Sequence, residues 1–316
     1  MPGTILVASL NNGKVQIKTE TYWQLPETNL DLPFKEASNI VREALKESIL
    51  IRWPTEVTAG YFFSGGLDSS ALVALHQAQI KEPVRTYTVG FERPQTTRDF
   101  RYYSELAQAG AAARYLGTNH FERVIPLQEV KECLSLILSG MDEPIADPTA
   151  IPLYFLSQLA LANGEKVVFS GEGADELFGG YTTYFEPANY RRINKLPEFV
   201  KRLMANMFPD EMKRFSRSLS ERYLGVGGLL RADQKRQLYS LKMLHLSKKN
   251  QVYPAQSYLE DERYSEEDRM LRFDLCSWLP EDVLMKSDKM TMLHGLETRL
   301  PYLGSAISRA CSCITL

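Results

Sequence analysis

The sequence predicts an α/β protein built on a doubly wound parallel sheet, with a mostly helical C-terminal part. Three observations predict it. Apolar runs of strand length alternate with helical stretches between Val57 and Ser170, glycine- and acid-rich loops follow two of those strands, and beyond Tyr181 the strand signal gives way to charged helical segments. Strands separated by helical connections pair in parallel, and such crossovers are right-handed in nearly all folds. With 316 residues, 44% of them hydrophobic and 24% charged, the chain can bury a full core.

The elements follow in order. Ile5–Ser9 and Val15–Trp23 flank Asn11-Asn12-Gly13, which is hairpin turn chemistry, and a linker with Pro26 and Pro33 follows. Ala37, Ile40, Val41, Ala44, Leu45 and Ile49 recur at helical spacing between Lys35 and Ile51. Then come a strand at Val57–Phe63, a helix at Ser69–Gln79, a strand at Val84–Phe91 and a long helical stretch ending near Gly117. A strand at His120–Pro126, helices at Gln128–Leu138 and Ile151–Ala162, and a strand at Lys166–Ser170 complete the alternation. From Arg191 to Arg272 the pattern is helical, broken at Pro197, Pro209, Gly225 and Gly227-Gly228.

Charge and cysteine usage exclude several classes. The net charge is −2, so no global field favours nucleic acid or an anionic membrane. Lys195, Lys201, Arg202, Lys213, Arg214 and Arg217 are interleaved with Glu198, Asp210, Glu211 and Glu221, which reads as a solvated helical face rather than an RNA-binding surface. Cys133, Cys276, Cys311 and Cys313 form neither a disulfide framework nor paired CxxC motifs, which fits a reducing cytoplasm. The Cys311/Cys313 pair reads as chance rather than a metal site, which needs about four ligands. No apolar run approaches the roughly 18–20 residues of a membrane span, and no signal-peptide pattern opens the chain. Small soluble ligands are expected, with no nucleic acid and no membrane.

The strongest chemical signal is Ser64-Gly65-Gly66-Leu67-Asp68-Ser69-Ser70, between an apolar strand ending at Phe63 and a helix. Two glycines let backbone approach a ligand, and a helix N-terminus offers N–H groups and a positive dipole end to phosphate oxygens. The GxxxxGK[ST] lysine loop is absent; Asp68 beside phosphates calls instead for Mg²⁺ between them. A second loop, Ser170-Gly171-Glu172-Gly173-Ala174-Asp175-Glu176-Leu177-Phe178-Gly179-Gly180-Tyr181, follows the strand Val167–Phe169 and carries Glu172 and Asp175 three residues apart. In open α/β sheets such loops line the ligand crevice. A third segment, from Asp282 to Tyr302, places Lys286 and Lys289 one helical turn apart, able to offer positive charge to a developing phosphorane or oxyanion. In the same segment Met285, Met290 and Met292 read as core packing, and His294 as a structural histidine.

The motif SGGLDSS resembles that of the PP-loop ATP pyrophosphatases, a Rossmann-like adenine nucleotide alpha hydrolase fold, which implies ATP cleavage between the α- and β-phosphates. With SGEGADELFGGY, the K-x-D-K-M-x-M-x-H-G-L-E-x-R-x-P segment and Asp142-Glu143-Pro144-Ile145-Ala146-Asp147-Pro148, the chain resembles the synthetase domain of the glutamine-hydrolysing asparagine synthetase family over about Tyr22–Leu303. The resemblance implies an amide-forming carbon–nitrogen ligase using ATP and Mg²⁺. It acts on aspartate or another small carboxylate, with ammonia from a glutaminase domain or subunit, and admits a homodimer. By motif position, Asp68 and Asp175 would bind the metal. Phe63, Ser64, Gly65, Gly66, Leu67, Asp68, Ser69, Ser70, Ser170, Gly171 and Gly173 would hold the nucleotide, and Val89 and Gly90 would meet adenine. Glu172 would assist amine attack, and Lys289, with Lys286 competing for the same role, would neutralise charge on the intermediate.

The β-lactam synthetases and peptide-cyclising relatives share this scaffold. In the former a tyrosine stands where this sequence has Glu172, so the acid favours the ammonia-using branch. The expected organisation is residues 1–34 as a hairpin and linker remnant of a glutaminase domain, 35–303 as the synthetase-like domain and 304–316 as an atypical tail, with both ends truncated relative to the family. Two other readings compete: a PP-loop tRNA-modifying enzyme, which should show a basic surface or catalytic cysteines, and an inactive remnant or non-catalytic partner of a glutaminase.

Overall fold

The computed structural model describes residues 3–27, 32–92, 105–145, 147–207, 218–227, 232–249, 255–305 and 307. Ala146, Pro209, Asp210, Glu211, Lys213, Arg214, Arg217, Gly228, Cys311 and Cys313 lie outside them. The chain divides into two compact units, Leu30–Ala174 with Glu281–Ile314, and Met1–Asn29 with Asp175–Pro280 and Thr315–Leu316.

In the second of these, strands β1 (Thr4–Asn11) and β2 (Lys14–Thr21) form the expected hairpin, with Asn12 and Gly13 at φ 50° and 75°. Positive φ at both turn positions matches the right-handed twist of the paired strands.

The first unit carries the sheet. It is made of β3 (Ala59–Phe62), β4 (Arg85–Phe91), β5 (Asn119–Ile125), β6 (Val167–Phe169) and β7 (Glu297–Arg299), in the spatial order β5-β4-β3-β6-β7 with every pairing parallel. Around it lie α1 (Phe34–Arg52), α2 (Leu67–Gln77), α3 (Leu106–Leu116), α4 (Leu127–Ser139) and α5 (Ala150–Ala162). The chain runs outward from β3 through β4 to β5, then returns to β6 on the other side of β3. This reversal is a topological switch point, where the loops leaving β3 and β6 diverge and open a crevice.

Alternation along the strands divides the core into two layers. Tyr61 and Phe169 pack with Trp53 and His76, and the Tyr61 hydroxyl meets His76 Nδ1 at 2.9 Å. On the opposite face Phe62, Tyr87, Val89 and Val168 join Ile125, Ile137, Tyr154, Phe155 and Met290. A fully buried carboxylate, Glu165, is held there by the Tyr87 hydroxyl at 2.6 Å and by Arg85 at 2.9 Å. Burying that charge would be costly without both partners.

Strand β7 is an element that hydrophobic patterning misses. Its sequence, Glu-Thr-Arg, is only three residues long and has no apolar signal, yet it pairs with Val167–Phe169 of β6. Met290 is buried as expected, whereas Met292 is 55% exposed. Its place near the end of a short helix turns it away from the layer that receives Met290.

The helical part of the other unit includes α6 (Ala174–Phe178, which begins at the boundary), α7 (Glu186–Asn194), α8 (Glu198–Met207), α9 (Leu219–Arg222), α10 (Ala232–Leu238), α11 (Leu241–Lys249), α12 (Gln256–Glu260) and α13 (Glu266–Cys276). Its core gathers Tyr184, Leu219, Tyr223, Leu259, Met270 and Phe273. Within it Asp274 is fully buried and accepts hydrogen bonds from Tyr184 at 2.7 Å and from Tyr223. Burial pushes the Asp274 carboxyl up to about 6, although the two tyrosines pull it down.

An unfolded aspartate titrates near 3.9, so the folded state holds this proton more tightly. The stability it contributes is complete below the unfolded value and is lost as pH rises through about 6. Asp274→Asn keeps an acceptor for the tyrosines without the charge. Urea denaturation of the variant and the unmodified protein should therefore show their difference in stability growing, in the variant's favour, by roughly 2 kcal/mol between pH 4 and pH 7.

Candidate active site at the switch point

Strand β3 delivers the chain at Phe63, whose N–H donates to Tyr87 O at 2.9 Å and whose ring is buried against the edge-on His120. The two glycines that follow have different physical reasons. Gly65 has φ 72°, and a Cβ there would lie 2.8 Å from Ala109 N on α3, where Gln108 Nε2 also donates to Gly65 O at 2.8 Å. Packing alone requires this glycine. Gly66, the N-cap of α2, has φ −71° and ψ 170°, and a Cβ there would meet only Ser64 Oγ, at 3.1 Å. No contact with the described residues requires it.

The first turn of α2 is presented without a side-chain cap. Its backbone donors and positive dipole end are those an anion would use. Ser64 Oγ accepts from Gly66 N at 3.1 Å and meets Ser69 Oγ at 3.1 Å, which tightens the turn from within. Ser70 Oγ is buried and has no hydrogen-bond partner among the described residues. Leu67 is 84% exposed, so its contribution is its backbone N–H. Uncapped donors, an orphaned hydroxyl and a glycine that packing does not need together fit a phosphate chain.

The loop leaving β6 is seated on this turn. Ser170 is buried and donates its N–H to Arg299 O at 3.1 Å. A Cβ on Gly171 would lie 3.2 Å from both Asp68 Cβ and Ser69 N, and one on Gly173, at φ 90°, would lie 2.5 Å from Leu303 Cδ2. Bare backbone at these positions lets the two loops and the Pro301–Leu303 turn close on one another. The Tyr302 hydroxyl donates to Asp68 O at 3.1 Å, and burial, with the Asp68 charge nearby, pushes its phenol up. Tyr302 and Leu303 are supporting residues that sequence patterning does not single out.

Glu172 is half-buried beside Gly171. Asp175 belongs to the other unit, one peptide bond beyond Ala174. Burial raises its carboxyl. Gly180 donates to Asp175 O at 3.0 Å, and a Cβ on Gly180 would collide with the Asp175 carboxylate. Among the described residues no group of three or more His, Cys, Asp or Glu side chains could hold a metal. Magnesium bound chiefly through phosphate oxygens needs only one or two carboxylates, and Asp68, on the turn itself, has the right chemistry. Val89 is buried in the core layer and Gly90 near the end of β4, so both offer backbone rather than side-chain surface.

Helix α14 (Met285–Met292) follows a π-helical turn, Leu279–Leu284. Lys286 is 4% exposed and pairs with Asp147 and, at 3.4 Å, with Asp282. Lys289 is more exposed and pairs with Asp142 at 2.8 Å; that hydrogen bond raises its ammonium above the ordinary lysine value. The two lysines therefore occupy different environments despite their spacing. His294 packs edge-on to Tyr154, with its Nδ1 3.2 Å from Met290 O.

The architecture and the seated loops define an α/β protein whose loops meet at the switch point of a parallel sheet. The sequence model of the family described as asparagine synthase matches residues 40–315, and the chain belongs to that family. Among curated relatives, asparagine synthetase (glutamine-hydrolyzing) 1 of Bacillus subtilis is 33% identical over 276 residues, covering 84% of this chain and 42% of the relative. A putative asparagine synthetase (glutamine-hydrolyzing) of Mycobacterium tuberculosis is 36% identical over 274 residues, covering 83% and 40%. The chain thus spans about two fifths of the length of these relatives.

The two glycines of the first loop separate packing from binding. Gly65→Ala should lower stability by about 2 kcal/mol or more in thermal or urea melts, because it adds backbone strain to a clash with α3. Gly66→Ala should leave the melt nearly unchanged while weakening ATP binding at least tenfold by calorimetry.

Proposed function

We propose that this chain is an ATP-dependent amide-forming ligase that activates the side-chain carboxylate of aspartate as its acyl-adenylate and passes it to ammonia. The observation that carries this reading is the seating of Gly171 on Asp68 and Ser69. It supports the reading because it brings the Phe63–Ser70 turn and the Glu172-bearing loop together at one switch point, in a chain of the asparagine synthase family.

In this mechanism the aspartate carboxylate oxygen attacks the α-phosphorus, and the bond to the bridging oxygen breaks to release pyrophosphate. Ammonia then attacks the acyl carbon, AMP leaves, and the proton shed by the new amide nitrogen passes to Glu172. The Phe63–Ser70 turn binds the phosphates through backbone N–H groups and the Ser70 hydroxyl, with Ser170, Gly171 and Gly173 walling the other side. Backbone at Val89 and Gly90 receives adenine. Asp68 would hold magnesium, which when bound would neutralise charge on the departing pyrophosphate; Asp175 is a candidate second ligand by motif position alone. One lysine of α14, Lys286 or Lys289, offsets charge developing around the α-phosphorus. Catalysis is mostly positioning and electrostatic stabilisation, without a covalent bond to the protein.

The carboxylate at Glu172 favours ammonia as the nucleophile over the intramolecular amines of the β-lactam-forming relatives. The ammonia would come from a glutaminase domain or subunit.

With aspartate labelled with ¹⁸O in its side-chain carboxylate, ATP, Mg²⁺ and ammonium, one labelled oxygen should appear in AMP by mass spectrometry. Label in inorganic phosphate with ADP as co-product would overturn the mechanism. Glu172→Gln should slow amide formation about a hundredfold, a typical value for a lost general base, while leaving ATP binding intact.

A further inference from the structure

The segment joining α4 to α5 lies along α14 and is attached to it at three levels. At its start a Cβ on Gly140 would lie 2.9 Å from Leu293 Cδ1, so Leu293 rests on bare backbone. Next Asp142 pairs with Lys289 at 2.8 Å, and at the far end Asp147 pairs with Lys286. As the segment advances from 140 to 147, its partners retreat from 293 to 286, so the two run antiparallel. Helices α5 and α14 each lead through a short turn into a parallel strand, β6 and β7, and so run against the strands. Their N-terminal ends lie at the edge of the sheet from which the nucleotide loops emerge. Asp147 and Lys286 are therefore at the ligand end, and Lys289 is one turn farther from it.

The upper attachment is built differently from the lower one. Lys289 and Asp142 form a partly exposed pair of the kind that contributes little to stability. Lys286 is buried between two carboxylates, Asp147 and Asp282. Asp147 is itself fixed: its Oδ1 accepts from Thr149 N at 2.9 Å and Thr149 Oγ1 at 2.8 Å, leaving Oδ2 for the lysine. Although burial alone would raise it, the Lys286 and Thr149 hydrogen bonds hold the Asp147 carboxyl below its ordinary value. Burial raises Asp282, with Lys286 opposing that shift.

One buried ammonium between two half-buried carboxylates is a poor way to gain stability, because the desolvation cost rivals the attraction. It is an effective way to hold an ammonium still. Two of its three N–H groups are committed, and the third has no acceptor among the described residues.

We propose that Asp147, helped by Asp282, is a positioning residue that fixes the Lys286 ammonium so that its remaining N–H serves the phosphates of bound nucleotide. This division of labour rests on the amide-ligase reading for its chemistry. It assigns the fixed charge to Lys286 and leaves Lys289 as a surface clasp on the same segment.

The test combines amine labelling with kinetics in Asp147→Asn and Asp147→Glu. In the unmodified protein Lys286 should react slowly with an acetylating reagent, as followed by mass spectrometry. In Asp147→Asn it should react at least tenfold faster, and α,β-methylene-ATP with Mg²⁺ should slow it again, while Lys289 changes little. Aspartate-dependent pyrophosphate–ATP exchange should lose about a hundredfold in kcat in Asp147→Asn, with KM for ATP within threefold. Asp147→Glu should recover much of that loss, as it would for a charge that orients a donor.

Labelling of Lys286 that is indifferent to Asp147→Asn, or to the nucleotide analogue in that variant, would overturn the proposal. So would released labelling with unchanged exchange. If the unmodified protein shows no exchange with aspartate, the substrate reading fails, and the two labelling arms still decide the placement of Lys286.

Discussion

Everything proposed for this protein depends on one close approach, the backbone of Gly171 lying against the first turn of α2 at Asp68 and Ser69. Two loops that leave neighbouring strands in opposite directions would ordinarily diverge. Here they are held together by the absence of side chains at Gly171 and Gly173, and by the Pro301–Leu303 turn. That turn hydrogen-bonds α2 through Tyr302 and covers Gly173 with Leu303. The turn is itself anchored, since Ser48 on α1 donates to Pro301 O at 2.6 Å.

The electrostatic arrangement follows the same economy. Groups that would meet phosphate include the turn of α2, which has no side-chain cap, and the Ser70 hydroxyl, which has no partner among the described residues. Charges away from the phosphates are neutralised internally, as Glu165 is by Tyr87 and Arg85. Lys286 combines both conditions, being buried and doubly paired but with one donor left over. The fold can hold a cation this way because α5 and α14 both begin at the same edge of the sheet, which brings residues distant in sequence onto one short segment.

Much of the fold was legible in the sequence because each signal is local. The hairpin turn is written in Asn12-Gly13, the first amphipathic helix in the spacing of Ala37, Leu45 and Ile49, and four sheet strands in apolar runs of the right length. Strand β7 was not legible. Its stability comes from pairing with β6 rather than from its own side chains, and a three-residue charged segment carries no periodicity. The exposure of Met292 was equally hidden, because in a helix this short the buried face is set by what the helix packs against.

By itself the sequence determined the order of strands and helices, the two glycine-rich loops and the family to which they belong, since these depend on residue type and spacing along one stretch of chain. Only the tertiary structure decided which glycine is needed for packing and which leaves room for a ligand. It likewise decided that Lys286 and Lys289 differ, one buried against Asp147 and Asp282 and the other on the surface with Asp142. The physical reason is the same in each case: burial and ion pairing are relations between residues remote in sequence, and the path of the chain sets them.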